Sequence, residues 1–467
     1  MYKIMYILVF FILVSTEVYA ENFSTILDRE KYELIEKKYE TYNYNCSNKI
    51  DDVSILVVDL NTVIDYALCN NPDVSEAWTL AKKQIEQVNI VKSNYLPKVN
   101  LAGESNIGKV DYKTYASPES SYNSKSIYYS VNIDSKWLLY DFGLKNNSVD
   151  QAKFILMALS ENQNAIVQKV FLEASILYFE VVRLQGEFTL NQEAEALAQQ
   201  SYSIAEKKYY AGIGLLSEML QAKTNLVKAR SNKIKSEGSL LAIKGELAVY
   251  MGFDINSPLE INARSMSSPE FEKVLLSVND LLQQANKIHP ELLSAQAEIF
   301  AAKENVKIIK KGNLPKLSLT SSLRVYRQQG NPSIDIGQNE TMTGIKVEVP
   351  IFSGFEYRHK LKIAQLDLEL KKTEIQKIHR KINIEVWKSY YNLNAETENL
   401  TSIEELENSA SKFYQISMQR YKSGVGSMLE LIDSQKSLSD AKQQKNSTIS
   451  MWNIARVELL ASIGLLR

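Results

Sequence analysis

Glu430 and Asp433 stand three residues apart in the segment RYKSGVGSMLELIDSQKSL, shortly after Gly424. On a helix this spacing puts both carboxylates on one face. Glu218 follows Gly212 at the same distance at which Glu430 follows Gly424. Such acids offer fixed negative charge. That charge can draw cations into a pore, or it can stabilise a helix that begins after a glycine break. Both roles are open for the two glutamates, whereas Asp433 sits deeper in its helix. Other chemistry is sparse. His289, His359 and His379 are scattered and read as surface residues. Cys46 and Cys69, with no histidine nearby, make a poor metal site. In an oxidising compartment they would form a disulfide stapling an N-terminal segment to the start of a helix. The sequence holds no phosphate loop, metal-ligand cluster or nucleophile motif. No catalytic residue, metal or cofactor is therefore expected, and the chain does not read as an enzyme.

The bulk of the chain narrows the class. It has 467 residues, with 54 basic against 55 acidic. A nucleic-acid binder would usually show a basic excess. With only 17 glycines and 9 prolines, long helices are favoured over loops. Residues 1–20, MYKIMYILVFFILVSTEVYA, read as a signal peptide, with Lys3, a short apolar core and Val18-Tyr19-Ala20 at the cleavage site. The mature chain is expected to begin at about Glu21. Beyond it no apolar run is long enough for a membrane helix, so a closed β-barrel is the one way left to cross a bilayer.

The positioning elements come in two copies. Ala67, Pro72 and Pro97 match Ala285, Pro290 and Pro315, all 218 residues apart. Tyr140, Tyr209, Gly212 and Gly252 match Phe352, Tyr421, Gly424 and Gly464, all 212 apart. The expected organisation is an N-terminal segment (21–58), a first repeat (59–258), a linker (259–277) and a second repeat (278–467). Each repeat opens with a helical stripe, which Pro97 or Pro315 stops. The period then becomes two, predicting β-hairpins over about 97–140 and 315–352, with a polar loop at about 111–125 and strands of about 10–14 residues. Gly143 and Gly354 mark the strand exits. That length suits a tilted transmembrane strand. Trp137, Tyr128, Tyr129 and Tyr140 are suited to membrane interfaces and equally to ordinary strand positions.

A very long helix follows each hairpin, with apolar residues at coiled-coil spacing, such as Val170, Ala174, Val181 and Leu184. It would span roughly 100 Å. It ends in a tip at about 210–216 in one copy and 422–428 in the other. The tip glycines are Gly212, Gly214, Gly424 and Gly426. Four strands cannot close a barrel, and open edges in lipid are forbidden; three copies would supply twelve. The expected fold is mainly α with membrane β: a trimeric tube of α-barrel and β-barrel, each protomer a tandem duplication giving four strands and long coiled-coil helices.

These features resemble the TolC-like outer-membrane efflux family from about residue 58 to the end. The resemblance rests on the duplication, the LP-K-x-x-L strand starts, the YDFG and FSGF strand ends, and the Tyr-x-x-Gly turns followed by acids. ALCNNP, with its upstream cysteine, resembles a subgroup with a stapled N-terminal segment. The resemblance implies a homotrimeric conduit in the cell outer membrane with a helical barrel in the periplasm. It implies that the N-terminal segment (21–58) is periplasmic and that the linker (259–277) lies in an equatorial region. It would work with a periplasmic adaptor and an inner-membrane ABC or proton-driven pump, in efflux or type I secretion. It places Glu218, Glu430 and Asp433 at the periplasmic entrance, and it makes Tyr209 and Tyr421 candidates for a tip-to-tip hydrogen-bonded latch or for helix-end packing. Where the family often has an arginine as lock partner, this chain has Gly426, implying a differently made closure. A periplasmic coiled-coil adaptor or scaffold is the alternative; the two amphipathic hairpins favour the channel.

Overall fold

The computed structural model describes residues 56–112, 122–261, 277–329 and 336–466. The expected signal peptide and Cys46 lie outside the described residues. The chain divides into two units. The described part of the smaller is Leu56–Val57 with Pro258–Glu260. It carries most of two short strands, β1 (Leu56–Val58) and β4 (Leu259–Ile261), which pair with each other. The stretch read as a linker thus begins with a strand: Leu259 and Ile261 are buried on either side of exposed Glu260, an alternation of period two.

The larger unit holds everything else. Helix α1 (Leu60–Asn70) starts where the Asp59 carboxylate accepts from the Thr62 N–H at 2.9 Å. It stops at Asn71, which caps the next helix, α2 (Pro72–Lys92), with Pro72 in the first turn. The second copy repeats the plan with α5 (Val278–Ile288) and α6 (Pro290–Gly312). There His289 takes the cap position, its Nδ1 accepting from the Glu291 N–H at 3.3 Å. His289 is buried, which corrects its reading as a surface residue, and burial lowers its pKa. Nothing local signals this, because the covering group is the end of a helix far along the chain: Gly464 lies against the His289 backbone.

Pro97 and Pro315 immediately precede β2 (Lys98–Tyr112) and β5 (Lys316–Gln329). Their partners are β3 (Tyr122–Tyr140) and β6 (Ile336–Glu348). The first hairpin is longer than its sequence suggests. Pairing runs on to Tyr112 opposite Tyr122, through the stretch read as loop, because tyrosine and an alternating polar set are compatible with a strand. The four strands form one antiparallel sheet in the order β2-β3-β5-β6. Leu101, Ile133 and Leu323 lie side by side across it, and all three are exposed. Asn132 and Arg324 pair on the opposite face, where Arg324 donates to the asparagine oxygen at 3.2 Å. The sheet therefore has one bare apolar face and one polar face. Among the described residues β2 and β6 each have one unpaired edge.

Two 67-residue helices follow the hairpins, α3 (Leu144–Tyr210) and α7 (Glu356–Lys422). Each is about 100 Å long. Each begins at two successive left-handed residues, Phe142-Gly143 and Gly354-Phe355. The glycine has moved by one position between copies, so a phenylalanine accepts a positive φ in each. The Asp141 carboxylate secures the first of these by accepting from the Gly143 and Lys145 N–H groups. The return helices are α4 (Leu216–Tyr250) and α8 (Met428–Ile463). Helix α8 packs on both long helices, in different ways. Against α7 it buries Trp452, Ala455 and Leu459 with Ile382, Val386 and Leu393. Against α3 it builds a ladder of hydrogen bonds. Gln435 donates to the Ser201 hydroxyl at 2.7 Å, Asn446 to the Arg183 carbonyl at 2.7 Å and Ser450 to the Phe179 carbonyl at 2.9 Å. Gly186, a glycine in mid-helix, is where the Asn446 amide fills the place of a Cβ.

Candidate functional site

The two helix reversals meet. Helix α3 ends with Gly212 at φ +76° and α7 with Gly424 at φ +80°, a region few residues but glycine enter cheaply. The loops then close by the same hydrogen bonds. The N–H groups of Ile213 and Gly214 both donate to the Lys208 carbonyl at 3.0 Å, and those of Val425 and Gly426 to the Arg420 carbonyl at 3.1 Å. The second glycine of each pair is needed for space. A Cβ on Gly214 would lie 3.0 Å from the Tyr209 nitrogen, and one on Gly426 would lie 2.9 Å from the Tyr421 nitrogen. Gly426 therefore cannot host a longer side chain without moving backbone.

The residues around these turns pack into one cluster drawn from all four long helices: Ala205, Ala222, Met418, Tyr421, Met428 and Leu431. Tyr421 is among the largest fully buried side chains. Its hydroxyl has no hydrogen-bond partner within the described residues, and the same holds for the Ser417 hydroxyl one turn away. Burial, with the nearby Glu218 charge adding to it, pushes the Tyr421 pKa up to about 12, so it is neutral at any physiological pH. Tyr209, its counterpart, is only half-buried and stacks edge-on with Tyr210. Tip-to-tip bonding comes from Lys208. Its ammonium sits 4.1 Å from the centre of the Tyr421 ring and donates to the Tyr421 carbonyl at 2.6 Å. Within the chain, this hydrogen bond between the tips runs from a lysine to a main-chain carbonyl.

The acids divide. Glu430 is half-buried, its N–H donates to the Ser427 cap hydroxyl at 3.1 Å, and its carboxylate lies 3.5 Å from the Arg420 guanidinium. It closes its own turn and sits in the first turn of α8, where an acid favours the helix. Glu218 occupies the same place on α4, half-buried and beside Tyr421. Asp433 is exposed and lies beyond the first turn. Gly143 and Gly354 lie at the other end of the long helices, at the strand exits. Cys69, on α1, is disulfide-bonded. No group of residues that could hold a metal ion occurs among the described residues, nor any helix long and apolar enough to cross a membrane.

Sequence reasoning missed Lys208, Arg420, Ser427 and Gln435. Ser427 was findable, as a serine three residues before Glu430. Arg420 meets Glu430 across its own turn, whereas Lys208 and Gln435 depend on which helix lies opposite.

The model of the outer membrane efflux protein family matches residues 63–252 and 281–465, once per copy. Protein CyaE of Bordetella pertussis is 24% identical over 421 residues, covering 90% of this chain and 85% of that one. Outer membrane protein TolC of Escherichia coli is 20% identical over 426 residues, covering 87% and 82%. Among solved structures, the Campylobacter jejuni CmeC outer membrane channel superposes with a TM-score of 0.75 at 18% identity, covering 87% of this chain and 85% of that one. VceC from Vibrio cholerae superposes with a TM-score of 0.72 at 19% identity, covering 87% and 96%.

Proposed function

The chain belongs to the outer membrane efflux protein family, and from that premise we propose that three copies close one tube whose periplasmic mouth is the ring of helix reversals. As a family member it is an outer-membrane channel of tripartite efflux or type I secretion systems, and it carries out no catalytic chemistry. One observation supports the three-copy reading most strongly: among the described residues, a four-stranded sheet has a bare apolar face and two unpaired edges. In lipid such edges must be satisfied. Pairing β6 of one copy with β2 of the next does so and turns the apolar face to the bilayer.

Within that tube Glu218, Glu430 and Asp433 each become a ring of three at the entrance, a cation-attracting arrangement. Asp433 is the acid best placed for it, being exposed and free of the capping role of Glu430. Tyr421, held by Lys208, is packing rather than a hydroxyl latch. Cys46 is the partner proposed for Cys69. The periplasmic partner is an adaptor delivering substrate from an inner-membrane pump, of ABC or proton-driven type. The three-copy reading is tested in the outer-membrane fraction. An unboiled sample should migrate as a three-copy species that boiling converts to single chains; a single-chain species before boiling contradicts it.

A further inference from the structure

We propose that the foot of the sheet's polar face binds multiply charged oxyanions of the phosphate class, through a belt of lysines led by Lys98 and Lys136. This rests on the three-copy reading, in which the polar face lines the bore of the tube. The register places the charges. Lys98 on β2 stands directly opposite Lys136 on β3. Lys136 stands opposite Thr320 on β5, and Thr320 opposite Gly344 on β6. This row crosses the sheet with two lysines and no acid. The next row on the same face, nearer the helices, sets Leu138, Ser318 and Lys346 side by side. Beyond it Lys316 stands opposite Glu348. By the period of two, all of these share a face with Asn132 and Arg324.

Like charges directly opposite each other destabilise a sheet, and a nearby acid would normally offset them. Here none does. Among the described residues Lys98, Lys136 and Lys316 form neither an ion pair nor a side-chain hydrogen bond. Glu348 is engaged by Lys346 at 3.4 Å. Asp134, one row further from the helices, stands opposite Asn100 and pairs with neither lysine. Asp141, at the end of the first hairpin, is buried and accepts from the Gly143 and Lys145 N–H groups. The helix side adds a cation instead: the Lys145 ammonium donates to the Leu138 carbonyl at 2.7 Å. Higher on the same face the signs mix, with Arg324 opposite Glu340 and then Glu104. The positive excess is therefore confined to the foot.

Charge and reach select the ligand. Lys98, Lys136 and Lys346 are exposed, and Lys316 is half-buried. A lysine ammonium is a compact charge on a flexible stem. Directly opposed Cα atoms lie about 5 Å apart, so the ammonium groups of Lys98 and Lys136 can converge on one small anion. A singly charged anion balances only one of them. A phosphate-type group with two or more charges balances both and removes the repulsion between the strands. In a tube of three copies the pair becomes a ring, and rings of basic side chains suit anion and phosphate passage. The conduit would then change sign along its length, with acids at the helix reversals and lysines at the foot of the sheet.

The test uses the full chain in planar bilayers, with inorganic pyrophosphate as the probe. In about 0.1 M potassium chloride, where charge is screened over about 10 Å, pyrophosphate should lower the conductance. Lys98→Gln with Lys136→Gln should raise the concentration needed roughly tenfold. It should also move the reversal potential towards stronger cation preference. Lys136→Gln alone should act in the same direction and less. Lys98→Arg with Lys136→Arg keeps the charges and should keep the block, which separates loss of charge from damage to the sheet. Phosphatidylglycerol added to the bilayer should not compete with pyrophosphate. Steady conductance that pyrophosphate leaves unchanged, or lowers equally in the wild type and the glutamine variants, overturns the belt and leaves the three-copy reading intact. Competition by the lipid would turn this face to the membrane and overturn the belt as well. A chain that gives no conductance overturns the three-copy reading, and the belt with it.

Discussion

The two helix reversals share a backbone and differ in the contacts their side chains make. Each has one glycine for a positive φ, a second for close approach, and the same hydrogen bonds back to the residue that begins the turn. Yet Tyr421 is buried where Tyr209 is half-exposed, Lys208 reaches across where Arg420 stays at home on Glu430, and Ser427 caps a helix that Leu215 leaves uncapped. Duplication fixed the chain path, because only glycine meets its two demands. The side chains then diverged, because the two tips have different neighbours. Helix α8 lies between α3 and α7, so the second tip faces packed helices on two sides. Helix α4 packs on α3 and keeps its opposite stripe bare.

The largest effect should come from breaking what the tips share. Gly426→Ala forces backbone apart and should cost about 1–3 kcal/mol. Gly424→Ala meets open space and should cost only the positive φ, about 1–2 kcal/mol. Amide hydrogen exchange at residues 417–431 reads both, with faster exchange in the first. Equal exchange would mean that the close approach carries no weight.

Breaking what the tips do not share should do less. Lys208→Met removes a cation from the Tyr421 ring and a hydrogen bond from its carbonyl, a loss of about 0.5–2 kcal/mol. It should raise exchange at both tips. Arg420→Met should raise it only around Glu430, since its contact is within one turn. If the two substitutions act alike, the asymmetry between the tips has no energetic content.

How much of this could be read beforehand follows the same division. The duplication, the hairpins and the reversals were legible because period, proline and glycine report local backbone. The apolar seam of α7 was legible for the same reason: Ile382, Val386 and Leu393 repeat at helical spacing. Periodicity says which face wants cover; it does not say which helix provides it. So the burial of Tyr421 over Tyr209 escaped notice, as did the reach of Lys208, the cap at His289 and the polar ladder from Gln435 to Ser450. Of Glu218, Glu430 and Asp433, the sequence supplied positions and spacing. That Glu430 is engaged by Arg420 and Ser427 while Asp433 is free was visible only once the turn was closed.

One recording directly tests the proposal that these tips form the mouth of an outer-membrane conduit. The purified chain in a planar bilayer, under a potassium chloride gradient, should conduct with a reversal potential showing cation preference. Asp433→Ala should reduce that preference, and adding Glu430→Ala should reduce it further. Steady conductance with a reversal potential unmoved by either substitution would contradict the placement of the acids at the mouth, and a chain that gives no conductance would contradict the channel itself.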